Sequence, residues 1–91
     1  MSNPVRDNTE LQRFEMDVDG DVAIAKYRLS PGVVAITHTE VPEALNGRGY
    51  GSAMVRGALD LIRARAQKVR PACPFVSWFI RNNPEYQDLL Q

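Results

Sequence analysis

Three groups of residues in this chain are of types that do chemistry. "NGRGYGSAM", residues 46–54, places Gly47, Gly49 and Gly51 directly ahead of a helix-patterned stretch. Glycine loses the most conformational entropy on ordering, so three within five positions ask for a reason. The first turn of a helix holds backbone N–H groups without internal partners, and aligned peptide dipoles add partial positive charge there. Bare glycines let an anion approach those amides, and Arg48 adds a formal charge at the rim, so the stretch reads as a phosphate cradle. The same spacing also suits a helix entry that binds nothing, and spacing does not decide between the two. No Lys-Ser/Thr pair follows, which excludes a Walker loop, and Gly-x-Gly-x-Gly is not the order of a dinucleotide fingerprint.

The second group is His38 and Glu40, which alternate along a β-branched segment and therefore point to one face. Either can accept a proton, and imidazole titrates nearer neutrality. The plainer readings are a hydrogen-bonded sheet histidine and a solvated strand-end carboxylate. The third is Cys73, a nucleophile if its thiol ionises and otherwise a small buried hydrophobe. A sole cysteine makes no internal disulfide, and with a single histidine the ligands for a metal are scarce, so we expect no metal site.

These groups need a scaffold, and the bulk numbers say which kind. Ninety-one residues make one domain able to bury one core. Eleven basic side chains balance eleven acidic ones, which disfavours a partner held by phosphate neutralisation along nucleic acid. No apolar run approaches the roughly 20 residues that span a bilayer, and MSNPVRDNTE lacks the apolar core of a signal peptide. A cytoplasmic protein with a free thiol is the expectation, with no membrane and no nucleic-acid partner.

Along the chain, residues 1–10 are polar and expected to be flexible, with the domain spanning 11–91. Phe14, Met16 and Val18 alternate with charged residues, the period of a strand with one buried face. Asp19-Gly20-Asp21 supplies a hairpin turn, residues 22–30 return, Pro31-Gly32 turns again, and residues 33–41 make a third strand. Met54, Val55, Ala58, Leu59 and Ile62 share one face of a helix expected from Gly51 to Ala66. A strand from Val69 to Cys73, parallel to the third, and a helix from Phe75 to Asn82 follow, with a last turn over Glu85 to Leu90. The order β-β-β-α-β-α gives an α+β (mixed α/β) domain with a single sheet and an antiparallel N-terminal meander. Phe75, Trp78 and Phe79 read as core or pocket wall.

"HTEVP" at 38–42, "GRGYG" at 47–51, and "CPF" with "PEY" at 73–75 and 84–86 stand in an order that resembles a minimal, single-domain branch of the GNAT acetyltransferase superfamily. The resemblance covers Phe14 to Leu90, with Asn46 where the superfamily's loop motif usually carries Gln or Arg. It implies acetyl-coenzyme A as the acyl donor, held across two splayed strands, with Val41, Asn46, Gly47, Arg48, Gly49, Tyr50, Gly51 and Ser52 as coenzyme contacts. It implies His38 or Glu40 as a base, and Cys73 near the thioester as acetyl acceptor, proton donor or mixed-disulfide partner. The acceptor would be an amine of unidentified class. The alternative is a coenzyme A-binding sensor or redox module that uses Cys73 without turnover.

Two departures bear on that reading. The superfamily's usual proton-donating tyrosine falls at Phe79, and Tyr86 lies beyond Pro84. The helices after the first strand and the final two strands, which ordinarily shape the acceptor site, are missing. An uncovered sheet edge in so small a domain also suits a homodimer.

Overall fold

A computed structural model describes residues 4–45 and 47–91. Five strands form one sheet in the order β1-β2-β3-β4-β5: Val5–Asn8, Arg13–Val18, Asp21–Ser30, Val33–Glu40 and Lys68–Pro71. Neighbours are antiparallel except β4 and β5, which run parallel. Parallel strands need a crossover, supplied here by helix α1 (Tyr50–Ala64). Helix α2 (Pro74–Asn82) and a 3₁₀ segment (Pro84–Leu89) close the chain. The expected strands and helices are present with ends shifted by a few residues. Asp19 and Gly20 both take positive φ, +49° and +85°, as a two-residue hairpin turn requires.

All the helical elements lie on one face. Met54, Val55, Ala58, Leu59 and Ile62 of α1 share a core with Phe14, Met16, Ala23, Ala25, Val34 and Ile36 of the sheet. Val76, Phe79 and Ile80 of α2 and Tyr86 of the 3₁₀ segment join the same core. Among the described residues, no helix lies over the opposite face. There Arg6, Asn8 and Arg13 converge on Glu15, which is only 4% exposed although it lies on an uncovered surface. The arginine stems supply the cover.

Within the segment 1–10 expected to be flexible, Val5–Asn8 forms the edge strand β1. Val5 to Asn8 pairs with β2 from Met16 to Arg13. Three of its residues, Val5, Arg6 and Asp7, are held by partners later in the chain. A Cβ built on Gly57 of α1 would stand 2.3 Å from Val5 Cγ2, so glycine is what lets helix and strand meet. Arg6 bridges Glu15 at 2.8 Å and Asp17 at 2.6 Å. Asp7 accepts hydrogen bonds from the Tyr27 hydroxyl and from Arg65.

A bulge sets the faces of β4. Lys26 pairs with His38 but Tyr27 pairs with Ile36, so Thr37 is an extra residue on β4. Val34 and Ile36 face the core before it. Without the bulge, alternation would put His38 and Glu40 on that same face. With it, they share the uncovered face with Lys26 and Ile24, and Thr39 turns toward the helices opposite Ala25. Among the described residues, no helix is long and apolar enough to cross a membrane.

Candidate active site

Pairing between β4 and β5 ends at Ile36 and Pro71, while β4 continues to Glu40 and the other chain leaves into α2. The strands therefore part at the end nearest the glycine loop. A cleft of about 340 Å³ opens there, within the range of small-molecule sites. Thr39 and Val41 form its β4 side, Leu45 and Phe75 its apolar walls, and the loop and first turn of α1 the remainder.

The loop's conformation follows from its glycines. Gly47 and Gly49 both sit at φ +80°, a region where a Cβ is strained. Gly49 is the N-cap of α1, and no side chain of a described residue caps it. The Gly49 carbonyl accepts from the Ala53 amide at 3.1 Å, which is the first bond of the helix ladder. The amides of Tyr50, Gly51 and Ser52 precede it and have no helical acceptor among the described residues. All three residues line the cleft, and the first turn of α1 holds no acidic residue to occupy it. Gly51 is needed for space, since a Cβ there would meet the Phe75 ring at 3.2 Å and Val41 Cγ2 at 3.5 Å. The arrangement suits an anion in charge and shape.

Cys73 lies at the parting of the strands as the N-cap residue of α2. Its Sγ is 3.5 Å from Thr39 Oγ1, and the residue is 6% exposed. Burial pushes the thiol pKa up. The Thr39 hydroxyl and the backbone amides of Val76, Phe75 and Thr39 outweigh that and hold it below the ordinary value.

A family model described as GCN5-related N-acetyl-transferase matches residues 13–89, most of the chain. The chain belongs to the GCN5-related N-acetyltransferase family. It is similar to Protein NATD1 of Mus musculus, 30% identical over 97% of this chain and 86% of that one. Protein NATD1 of Homo sapiens is likewise 30% identical, over 97% and 84%. Its fold is similar to that of a GCN5-like protein of Staphylococcus aureus solved in solution by NMR, at TM-score 0.73 and 24% identity, covering all of this chain and 91% of that one.

Against that acetyltransferase fold, the residues singled out from the sequence fall into two sets. Val41, Gly47, Gly49, Tyr50, Gly51 and Ser52 come together at the cleft, with Arg48 exposed beside it. Asn46 lies outside the described residues. His38 and Glu40 form a separate pair, Nε2 to Oε1 at 3.2 Å, exposed on the uncovered face. Cys73 belongs with Thr39 on the helix side, so the sheet itself stands between the thiol and the imidazole. Thr39 was not singled out from the sequence, because only the bulge at Thr37 turns it toward the cleft. Leu45, a single apolar residue in a turn, carried no signal either.

The aromatic residues also divide. Phe75 lines the cleft and Phe79 is buried, as expected. Trp78, expected as core or pocket wall, is instead 46% exposed and stacks on Phe75 with centroids 5.7 Å apart. One turn along α2 from a wall residue, it clears the fold's edge. Tyr86 donates to Asp60 at 2.7 Å and receives Arg56 at 3.4 Å, tying the 3₁₀ segment to α1. Burial and the Asp60 carboxylate raise its pKa. It serves the fold.

Proposed function

We propose that this protein binds acetyl-coenzyme A in the cleft, its diphosphate on the amides of Tyr50, Gly51 and Ser52, and transfers acetyl to an amine. The observation that carries the proposal is a helix N-terminus capped by no side chain of a described residue, whose two preceding glycines sit at φ +80° beside an open cleft. Arg48 adds charge at the rim, and Val41, Gly47 and Phe75 shape the entry for an extended arm. A free thiol and a coenzyme A thioester both suit a reducing, cytoplasmic setting.

Transfer forms a C–N bond to the acetyl carbon and breaks the C–S bond, releasing a thiolate that takes up a proton. The amine must lose a proton for this, and the His38–Glu40 pair on the uncovered face is the acceptor, reached by water through the gap where β4 and β5 part. Thr39 and Cys73 stand where the strands part, the point a thioester threaded from the cleft would reach. The Thr39 hydroxyl and the α2 amides polarise that point and favour a departing sulfur anion.

A second reading is favoured by the lowered Cys73 pKa. The thiolate attacks the acetyl carbon, the coenzyme thiolate leaves and is protonated, and the acetyl group rests on Cys73. Incubation with acetyl-coenzyme A labelled in the acetyl group separates the two. Label on an added amine, lost in a folded His38→Ala variant, supports direct transfer. Label held on Cys73 with none on any amine supports storage or sensing. The Thr39→Val variant removes the hydroxyl from the sulfur, so the alkylation rate of Cys73 reaches its plateau at higher pH than in wild type.

A further inference from the structure

The uncovered face of the sheet carries three cations that nothing in the fold uses. Lys26 and Arg28 alternate on β3, and Arg28 stands opposite Ala35 of β4, which stands opposite Arg70 of β5. All three are exposed, and no hydrogen bond or ion pair engages them among the described residues. Six other basic side chains are occupied, Arg6 and Arg13 with Glu15, Arg56 with Glu85, Arg63 with Asp88, Arg65 with Asp7 and Lys68 with the Asp88 carbonyl, while Arg48 and Arg81 stand apart from this face. On this face Glu15 is already taken by two arginines, and Glu40 is engaged with His38. The chain as a whole is neutral, so the excess is local.

Placement gives the cluster a meaning. Lys26 is paired across the strands with His38, at the level where β4 and β5 part. The Arg28–Ala35–Arg70 row lies directly behind it, a distance of roughly 7 Å along strands rising about 3.3 Å per residue. Small Ala35 stands between the two arginines in the strand register, and guanidinium groups favour carboxylate and phosphate.

We infer that the acetyl acceptor is a primary amine carrying an anionic group, carboxylate or phosphate, about 6–7 Å from its nitrogen, with that group between Arg28 and Arg70 and the nitrogen at His38. This rests on the transfer reading above. Lys26 stands beside His38 at the amine end, and the Arg28–Arg70 end repels the second ammonium of diamines and polyamines.

The test uses the full chain saturated with coenzyme A and four probes followed by NMR titration: 4-aminobutyrate, 2-aminoethyl phosphate, butylamine and putrescine. The expected result is binding of one or both anionic amines, with shifts centred on Arg28, Ala35 and Arg70. Affinity falls about tenfold in Arg28→Gln/Arg70→Gln, while coenzyme A affinity and the amide spectrum of the core stay unchanged. A preference for 4-aminobutyrate identifies carboxylate as the recognised group, and one for 2-aminoethyl phosphate identifies phosphate. Butylamine or putrescine binding as well as the anionic amines, or a double variant that binds them undiminished, overturns the inference while leaving coenzyme binding intact. Failure of the wild-type chain to bind coenzyme A overturns the cleft reading and this inference with it.

Discussion

The two faces of the sheet are built from the same strands but by different means. On the helix side, apolar residues from β2, β3 and β4 meet α1 and α2 in a closed core, and the cleft opens at its end. On the other side, long charged side chains cover the strands, and Ile24 is buried under them without belonging to the core. The difference teaches how a chain of 91 residues divides its labour. Stability is concentrated on one face, which frees the other to carry unpaired charge. The parting of β4 from β5 is where the two faces communicate.

If this division is right, truncations of similar size should differ by face. Leu59→Ala empties a fully buried site on the helix side and is expected to destabilise by about 3 kcal/mol. Ile24→Ala on the charged face should lose roughly 1 kcal/mol, because arginine stems and water can fill the space. Urea unfolding measures both, and equal losses would break the comparison.

Gly57→Ala comes next. Its Cβ would strike Val5, and overpacking of this kind costs roughly 1–3 kcal/mol, offset by about 1 kcal/mol of helix propensity. The net effect should be concentrated in β1, read as faster amide exchange at Val5–Asn8 with α1 little changed.

Glu15→Gln should have the smallest effect, about 1 kcal/mol at neutral pH. Its sign with pH is fixed by the site. The hydrogen bond from Arg13, followed by those from Asn8 and Arg6, holds the Glu15 carboxyl below its ordinary 4.5 although burial pushes it up. A depressed folded-state pKa means the stabilisation is fully present above the unfolded value and fades as pH falls through the folded one. The advantage of wild type over Glu15→Gln should thus be flat from neutrality to about pH 5 and shrink in more acidic buffer. An advantage growing in acid would contradict the assigned partners.

Much of this was legible in the sequence because it is periodic. The alternation of Phe14, Met16 and Val18 and the helical stripe from Met54 to Ile62 both announce their buried face locally. The strand at Val5–Asn8 was not legible, since its support comes from Gly57, Arg65 and Tyr27, far along the chain. The candidate site was half legible for the same reason. Glycines at a strand-to-helix junction mark themselves, whereas one inserted residue, Thr37, decides which side His38, Thr39 and Glu40 occupy. A bulge has no period, and it shows only in the pairing of Lys26 with His38 and Tyr27 with Ile36 across the hairpin.

The most direct test is a calorimetric titration of coenzyme A into wild type, Ser52→Ala and Ser52→Pro. Alanine keeps the backbone N–H at this first-turn position, and proline, tolerated there, removes it. The account predicts that wild type and Ser52→Ala bind alike, that Ser52→Pro loses roughly tenfold or more, and that pantetheine, which lacks the diphosphate, does not distinguish the three. A folded wild type that does not bind coenzyme A, or a Ser52→Pro variant that binds it as tightly as Ser52→Ala, would contradict the claim that these amides hold the diphosphate.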